Sequence, residues 1–360
     1  MGVAAAPVAS HEQPRQEEQA AEPDQHRADV QQLEPEVHAR FLAGRIARKA
    51  TRPRAKQAWA AAVGAAVLLP LPALALPVCR PPGSLAEPWA PPGAWLLPPA
   101  LLLALYLAGL WRLWRRAPGR GITPLEAAGF VAGILLLAFV LGGPLNAYAR
   151  WSLGAHMAQH MLLLAVVPPL LLAGRAWAAI SLALPRAVAG GLHRLLHPAS
   201  TWLAARLGPA TVAHAAVMVL WHLPGSLQAA LASERLHEAM HASFLLAGLW
   251  FWSALWRRIR GQGAGPAPGV VATVSLMMVM GFLGALLTFA PRPLYPLYGF
   301  RAPEVGLEAL ADQQLAGLLM WVPSCLPYLA GALWLTWRGL GRAGRAVRRP
   351  AAGLPGRNTG

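Results

Sequence analysis

Apolar runs of about 20 residues alternate with short polar connections along most of the chain. They fall at 57–78, 94–114, 125–145, 153–173, 203–223, 238–256, 269–289 and 314–337, each near the roughly 20 residues an α-helix needs to cross ~30 Å of hydrocarbon. The pattern predicts an all-α, polytopic transmembrane helix bundle with eight spans. The fifth run is the least regular: Arg206 and Pro209 lie near its start, and part of the preceding segment, 176–197, reads as an amphipathic helix on the membrane surface. Pro168, Pro169, Pro323 and Pro327 lie inside runs and predict kinks whose freed carbonyls neighbouring helices must satisfy. Gly129 and Gly133, spaced as GxxxG, predict a close helix–helix contact and nothing more specific.

Composition agrees with the pattern. Of the 360 residues, 56% are hydrophobic and 13% charged, against about a quarter charged in soluble domains. The net charge of +16 on a soluble domain would point to nucleic acid. Here the basic residues stand in short clusters between apolar runs, which sets orientation in a bilayer and gives no reason to expect a nucleic-acid partner. Residues 1–56 hold eight of the fifteen acidic residues and end in a basic run. They bury too little apolar surface to order themselves and are expected to be a disordered cytoplasmic tail. That charged leader is far longer than the n-region of a cleavable signal. The 57–78 run is expected to be an extra N-terminal span, 94–337 a seven-span bundle, and 338–360 a second, basic cytoplasmic tail. Counting Lys and Arg in successive connections gives strict alternation, rich then poor, which predicts both termini on the cytoplasmic side. Cys79 and Cys325 lie far apart without a CxxC, which supports neither a disulfide framework nor a thiolate metal site.

With that orientation, the polar residues of the spans collect at one depth. His156 and His160 open the fourth span, His222 closes the fifth, and His237 and His241 open the sixth. Both pairs are i, i+4, so each projects from one helix face about 6 Å apart along the axis. Ionisable and strongly polar groups inside a membrane are costly and by default mark function. His214 lies deeper on the fifth span. Met157 and Met161 flank the first pair and Met240 adjoins His241. Imidazole with occasional thioether suits copper better than magnesium or calcium, so the five histidines are expected to be copper ligands, with His214 and the three methionines as further positions. Asp312 opens the eighth span on the same side. Orienting a ligating histidine, acting as an N-terminal acidic residue and ligating directly are its available roles, expected in that order. Two other chemistries use the same residues: paired histidines as axial haem ligands, and HEAMH at 237–241 as an HExxH zinc hydrolase with Glu238 as base. A scaffold whose histidines only hydrogen-bond between helices is the reading without a cofactor.

The stretches AHMAQHMLLLAVVPPLLLAGR (155–175), VLWHLPGSLQAALASERLHEAMHASFLLAGLWFW (219–252) and DQQLAGLLMWVPSCLPYLAGALW (312–334) resemble the signatures of the multispanning CtaG family, bacterial assembly factors for caa-type cytochrome c oxidase. The resemblance covers roughly 94–337 and leaves 57–78 as an addition. It implies a non-enzymatic, multi-pass protein of the bacterial plasma membrane that helps mature the oxidase in the respiratory chain. Its partners would be oxidase subunits and membrane lipid, with copper as the metal handled.

Overall fold

The computed structural model describes residues 96–116, 119–263 and 265–347, with side chains as far as Arg342. The tail expected at 1–56 and the run at 57–78 lie outside the described residues. These residues form helices α1 (Leu97–Trp114), α2 (Pro124–Gly142), α3 (Pro144–Tyr148) and α4 (Leu153–Met161), then a π-helical turn (Leu162–Val166) leading into α5 (Val167–Ala173). Next come α6 (Ala176–Ala183), α7 (Arg186–Ala204), α8 (Leu207–His222), α9 (Pro224–Ala232), α10 (Glu234–Ile259) and α11 (Ala267–Thr288). Helix α12 (Pro296–Arg301), a 3₁₀ turn (Ala302–Val305) and α13 (Ala309–Val347) complete the set. No strand occurs among the described residues. Six helical segments are long and apolar enough to cross a membrane, or seven if α7 and α8 count as one bent span.

Local chemistry explains the boundaries. Thr123 and Glu126 form a reciprocal capping box ahead of α2, with Pro124 in the first turn, where its missing N–H costs nothing. Ser152 and Ser233 cap α4 and α10 through their hydroxyls. The fifth apolar run differs from its expected form: helix begins at Leu207, and α7 meets α8 at 85°. Pro209 is the physical reason, since in a continuous helix its ring would clash with the carbonyl of Ala205 and remove a bond. Helix α7 has no buried residue, in keeping with the amphipathic surface segment expected there. Helix α13 continues beyond 337, through residues expected to be tail, as far as Val347; Arg338 ties it to the end of α10 by donating to the Ile259 carbonyl.

Packing rests on small residues and on compensated prolines. Helices α11 and α13 approach so closely that a Cβ on Gly317 would stand 2.5 Å from the Gly284 carbonyl oxygen. Gly129 and Gly133 set α2 against α5, where Leu170 and Leu171 fill the space. On the outward faces of α11 and α13, Val271, Val274, Met278, Phe282 and Leu286, and Val322, Leu326, Leu329, Leu333 and Trp337, remain exposed. Both sets recur at three- and four-residue spacing, so each is a continuous apolar stripe of the kind that faces lipid.

The Pro168–Pro169 pair bends the helix carrying the first histidines. Pro168 offers no N–H to the Leu164 carbonyl, and Trp252 of α10 supplies the replacement, its Nε1 donating at 3.1 Å. The chain relaxes into the π turn just before the prolines. In α13, Pro323 frees the Leu319 carbonyl, and the Ser324 hydroxyl donates to it at 2.7 Å. Helix α10 reaches the bend only because residue 248 is glycine: a Cβ there would stand 2.7 Å from Pro168 Cγ and 2.9 Å from the Leu164 oxygen. Gly248→Val is expected to cost about 1–3 kcal/mol by overpacking this contact; thermal unfolding in detergent measures it, with Ala242→Val, at an exposed position of the same helix, as the control.

Candidate functional site

Helix α4 carries the first histidine pair, and a carboxylate from the far end of the chain holds its start. Asp312, in the first turn of α13 and 4% exposed, accepts from the Ser152 hydroxyl at 2.6 Å, the Leu153 amide at 2.6 Å and the Gly154 amide at 3.1 Å. Amides of a first helical turn have no partner within their own helix, and their positive end favours an anion. The approach needs Gly154, where a Cβ would stand 3.0 Å from Asp312 Oδ1. Beside it, Gln159 donates through Nε2 to the Val140 carbonyl at 2.8 Å and to Asn146 Oδ1 at 3.0 Å. This satisfies the end of α2, where Pro144 has no N–H to give.

The five histidines meet. His156, His160, His222, His237 and His241 are all buried, between 0 and 8% exposed. The rings of His156 and His160 lie 4.2 Å apart between centroids, and those of His237 and His241 4.3 Å apart. The two pairs face each other across the α4–α10 contact: His156 to His237 is 5.5 Å and His160 to His241 is 5.7 Å. His222, at the end of α8, stands 6.3 Å from His160, and Phe244 packs under His160 with centroids 4.4 Å apart.

Hydrogen bonds define which nitrogens face inward. The Tyr298 hydroxyl donates to the Ala149 carbonyl at 2.7 Å and lies 2.7 Å from His156 Nδ1. Its single proton is thereby used, so Nδ1–H of His156 is the donor and Nε2 carries the lone pair. Burial pushes the Tyr298 phenol well above its ordinary range, keeping it a neutral hydroxyl. His222 Nδ1 donates to the Met218 carbonyl at 2.6 Å, leaving Nε2 to face Met157 Sδ at 3.1 Å. His156 Nε2, both ring nitrogens of His160, His237 Nε2 and His241 Nε2 are buried with no hydrogen-bond partner among the described residues. Orphaned buried nitrogens of this kind are rare and call for an explanation.

One ring of the cluster reaches an opening. A cavity of about 150 Å³ is lined by His237, Glu234, Arg150, Trp151, Leu231 and Arg301, among others. Arg150 and Glu234 pair across it at 2.9 Å, with side chains 29% and 32% exposed. Arg301 donates to the Arg150 carbonyl at 3.0 Å.

Of the further positions, Met157 touches the cluster through His222, while Met161 and Met240 are buried in the hydrophobic core. His214 stands apart: its Nε2 is 2.8 Å from the Tyr328 hydroxyl and its Nδ1 3.4 Å from the Ala247 carbonyl. Asp312 bonds to no ring nitrogen and acts on the histidines through the helix start. Glu238, the base a hydrolase would use, is exposed and turned away from the rings. Among the described residues no three His, Cys, Asp or Glu side chains converge in metal-holding geometry. The donor set nonetheless fits copper chemically, with neutral imidazoles bearing free nitrogens and a thioether alongside. Tyr298, Gln159 and the Arg150–Glu234 pair were not legible as site residues, because each acts across helices whose neighbourhood no spacing reveals.

A family model described as cytochrome c oxidase caa3 assembly factor (Caa3_CtaG) matches residues 104–341. No curated protein and no solved structure matches the chain. Tyr298→Phe removes the hydroxyl that bonds to the Ala149 carbonyl and to His156 Nδ1, leaving Nδ1 the Ala149 carbonyl at 3.1 Å, and is expected to lower stability by about 1 kcal/mol; thermal unfolding of the purified protein measures the loss.

Proposed function

Since the chain belongs to the cytochrome c oxidase caa3 assembly factor family, and so has a role in oxidase assembly, we propose that it does this by taking up copper on the His156, His160, His222, His237 and His241 cluster and passing it to an oxidase subunit. The observation that carries the reading is the set of orphaned imidazole nitrogens, gathered from α4 and α10 beside His222 and Met157. A scaffold whose histidines merely bridge helices would have its ring nitrogens in hydrogen bonds, as His214 does. Here the outward nitrogens of His156 and His222 are fixed by a hydroxyl and by carbonyls, while the inward nitrogen of His156 is bare and that of His222 meets only the Met157 thioether. This is the arrangement that prepares imidazole as a ligand. Ligation requires the rings, now packed edge to face, to turn about their side-chain torsions.

The protein carries its cargo without catalysing a reaction on it. The alternation of basic connections along the sequence supports a reading with both termini in the cytoplasm and the cluster at the outer face of the bacterial plasma membrane. There the cavity beside His237 gives copper a way in and out.

Replacing His160 and His241 together by Ala removes ligands from both helices. The double variant is expected to lose its bound copper and to stop supporting oxidase maturation while staying in the membrane at wild-type level. Metal analysis of the purified protein, alongside a membrane blot, decides the matter; wild-type copper content in the double variant would falsify the assignment.

A further inference from the structure

Copper occurs in two charge states, and the surroundings of the cluster treat them differently. The five rings are at most 8% exposed, so an ion among them gives up its water and depends on the charges the protein holds nearby. The imidazoles and the Met157 thioether are neutral. Among the described residues the one buried carboxylate is Asp312, bonded to the start of the helix that carries His156, and its three partners are a hydroxyl and two amides. Among the described residues it has no cationic partner. The positive start of α4 already offsets about half of that charge. At the mouth, Arg150, Arg301 and Glu234 sum to one net positive charge and oppose a dication more than a monocation.

Burying an ion costs in proportion to the square of its charge, so a dication costs about four times as much as a monocation in the same site. With about half of its charge left over from the helix start, the Asp312 carboxylate offsets a larger share of a monovalent ion than of a divalent one. The Met157 thioether beside His222 is a soft donor, which favours the monovalent ion. Resting on the copper reading above, we propose that the cluster selects monovalent copper, with Asp312 as its fixed counter-charge as well as the cap of α4.

The test uses the full-length protein in detergent. Cu(I) is titrated anaerobically against a cuprous chelator, Ag(I) serves as a redox-inert monovalent probe, and Cu(II) is titrated against a cupric chelator with electron paramagnetic resonance as readout. Cu(I) and Ag(I) are expected to bind at least roughly 100-fold more tightly than Cu(II). Equal or tighter binding of Cu(II), with a stoichiometric nitrogen-ligated signal, overturns the selectivity and leaves the copper site standing. Failure of the wild-type protein to bind either state overturns both.

Asp312→Asn is expected to weaken Cu(I) and Ag(I) by at least about tenfold, whereas Ser152→Ala, which removes a cap bond but keeps the charge, retains the preference. Unchanged Cu(I) affinity in folded Asp312→Asn overturns the counter-charge. Should that variant not fold, the wild-type comparison of the two charge states decides the selectivity on its own.

Discussion

The bond on which the histidine cluster most depends is made by a residue outside it. Asp312 sits in the first turn of the last helix and closes the first turn of α4, at positions 158 to 160 residues earlier in the chain. In hydrocarbon the amides of a helix start have no water to turn to, so a carboxylate that accepts two of them and orients the capping serine is worth more than its surface counterpart. This fixes the rotation and depth of α4, and with them the direction in which His156 and His160 point. Gly154 is the corollary: a side chain there would push the carboxylate away.

The same principle, that a polar group freed at membrane depth is costly without a partner, accounts for the other irregular places. Proline frees a carbonyl, and a side chain arrives to satisfy it: Trp252 for Leu164, Ser324 for Leu319, Gln159 at the end of α2. The Trp252 bond also draws α10 against the bend of α4 and α5, and α10 is the helix that carries His237 and His241. The bend is therefore part of how the two histidine pairs come to face each other. Of the nine buried side-chain polar atoms without a partner among the described residues, five are imidazole nitrogens of the one cluster, the others being Trp151 Nε1, Gln159 Oε1, Trp256 Nε1 and Arg258 Nη1. A chain that compensates its prolines so consistently leaves those nitrogens unbonded for a reason, and ligation supplies one.

Much of this was legible in the sequence because it is local. Apolar runs near 20 residues located six of the crossing helices, and the i, i+4 spacing put each histidine pair on one face. What was not legible depends on which helix lies beside which. Asp312 is an acidic residue at the start of its own helix, and no feature of the chain tells that its carboxylate closes another. Tyr298 lies on a six-residue helix between spans and becomes part of the site only when that helix folds over Ala149. His214 lies deeper on the span that ends at His222, and nothing in its spacing tells that Tyr328 claims its ring. The break at Arg206 was half legible: Pro209 forbids continuity, but the 85° turn comes from α7 lying along the bundle instead of crossing with α8.

On the copper reading, the two ends of the site differ in what they can yield. The inner rings are held by Asp312, Tyr298 and the core around Phe244, and moving them means breaking buried bonds of α4 and α10. The mouth is held by Arg150 and Glu234, whose side chains are about a third exposed, and a pair of that exposure contributes only about 0–1 kcal/mol. Parting them costs the bundle little and uncovers His237, the one cluster ring that lines the cavity. On that reading the ion would enter and leave on the His237 side, the other rings turning about their side-chain torsions as it does so.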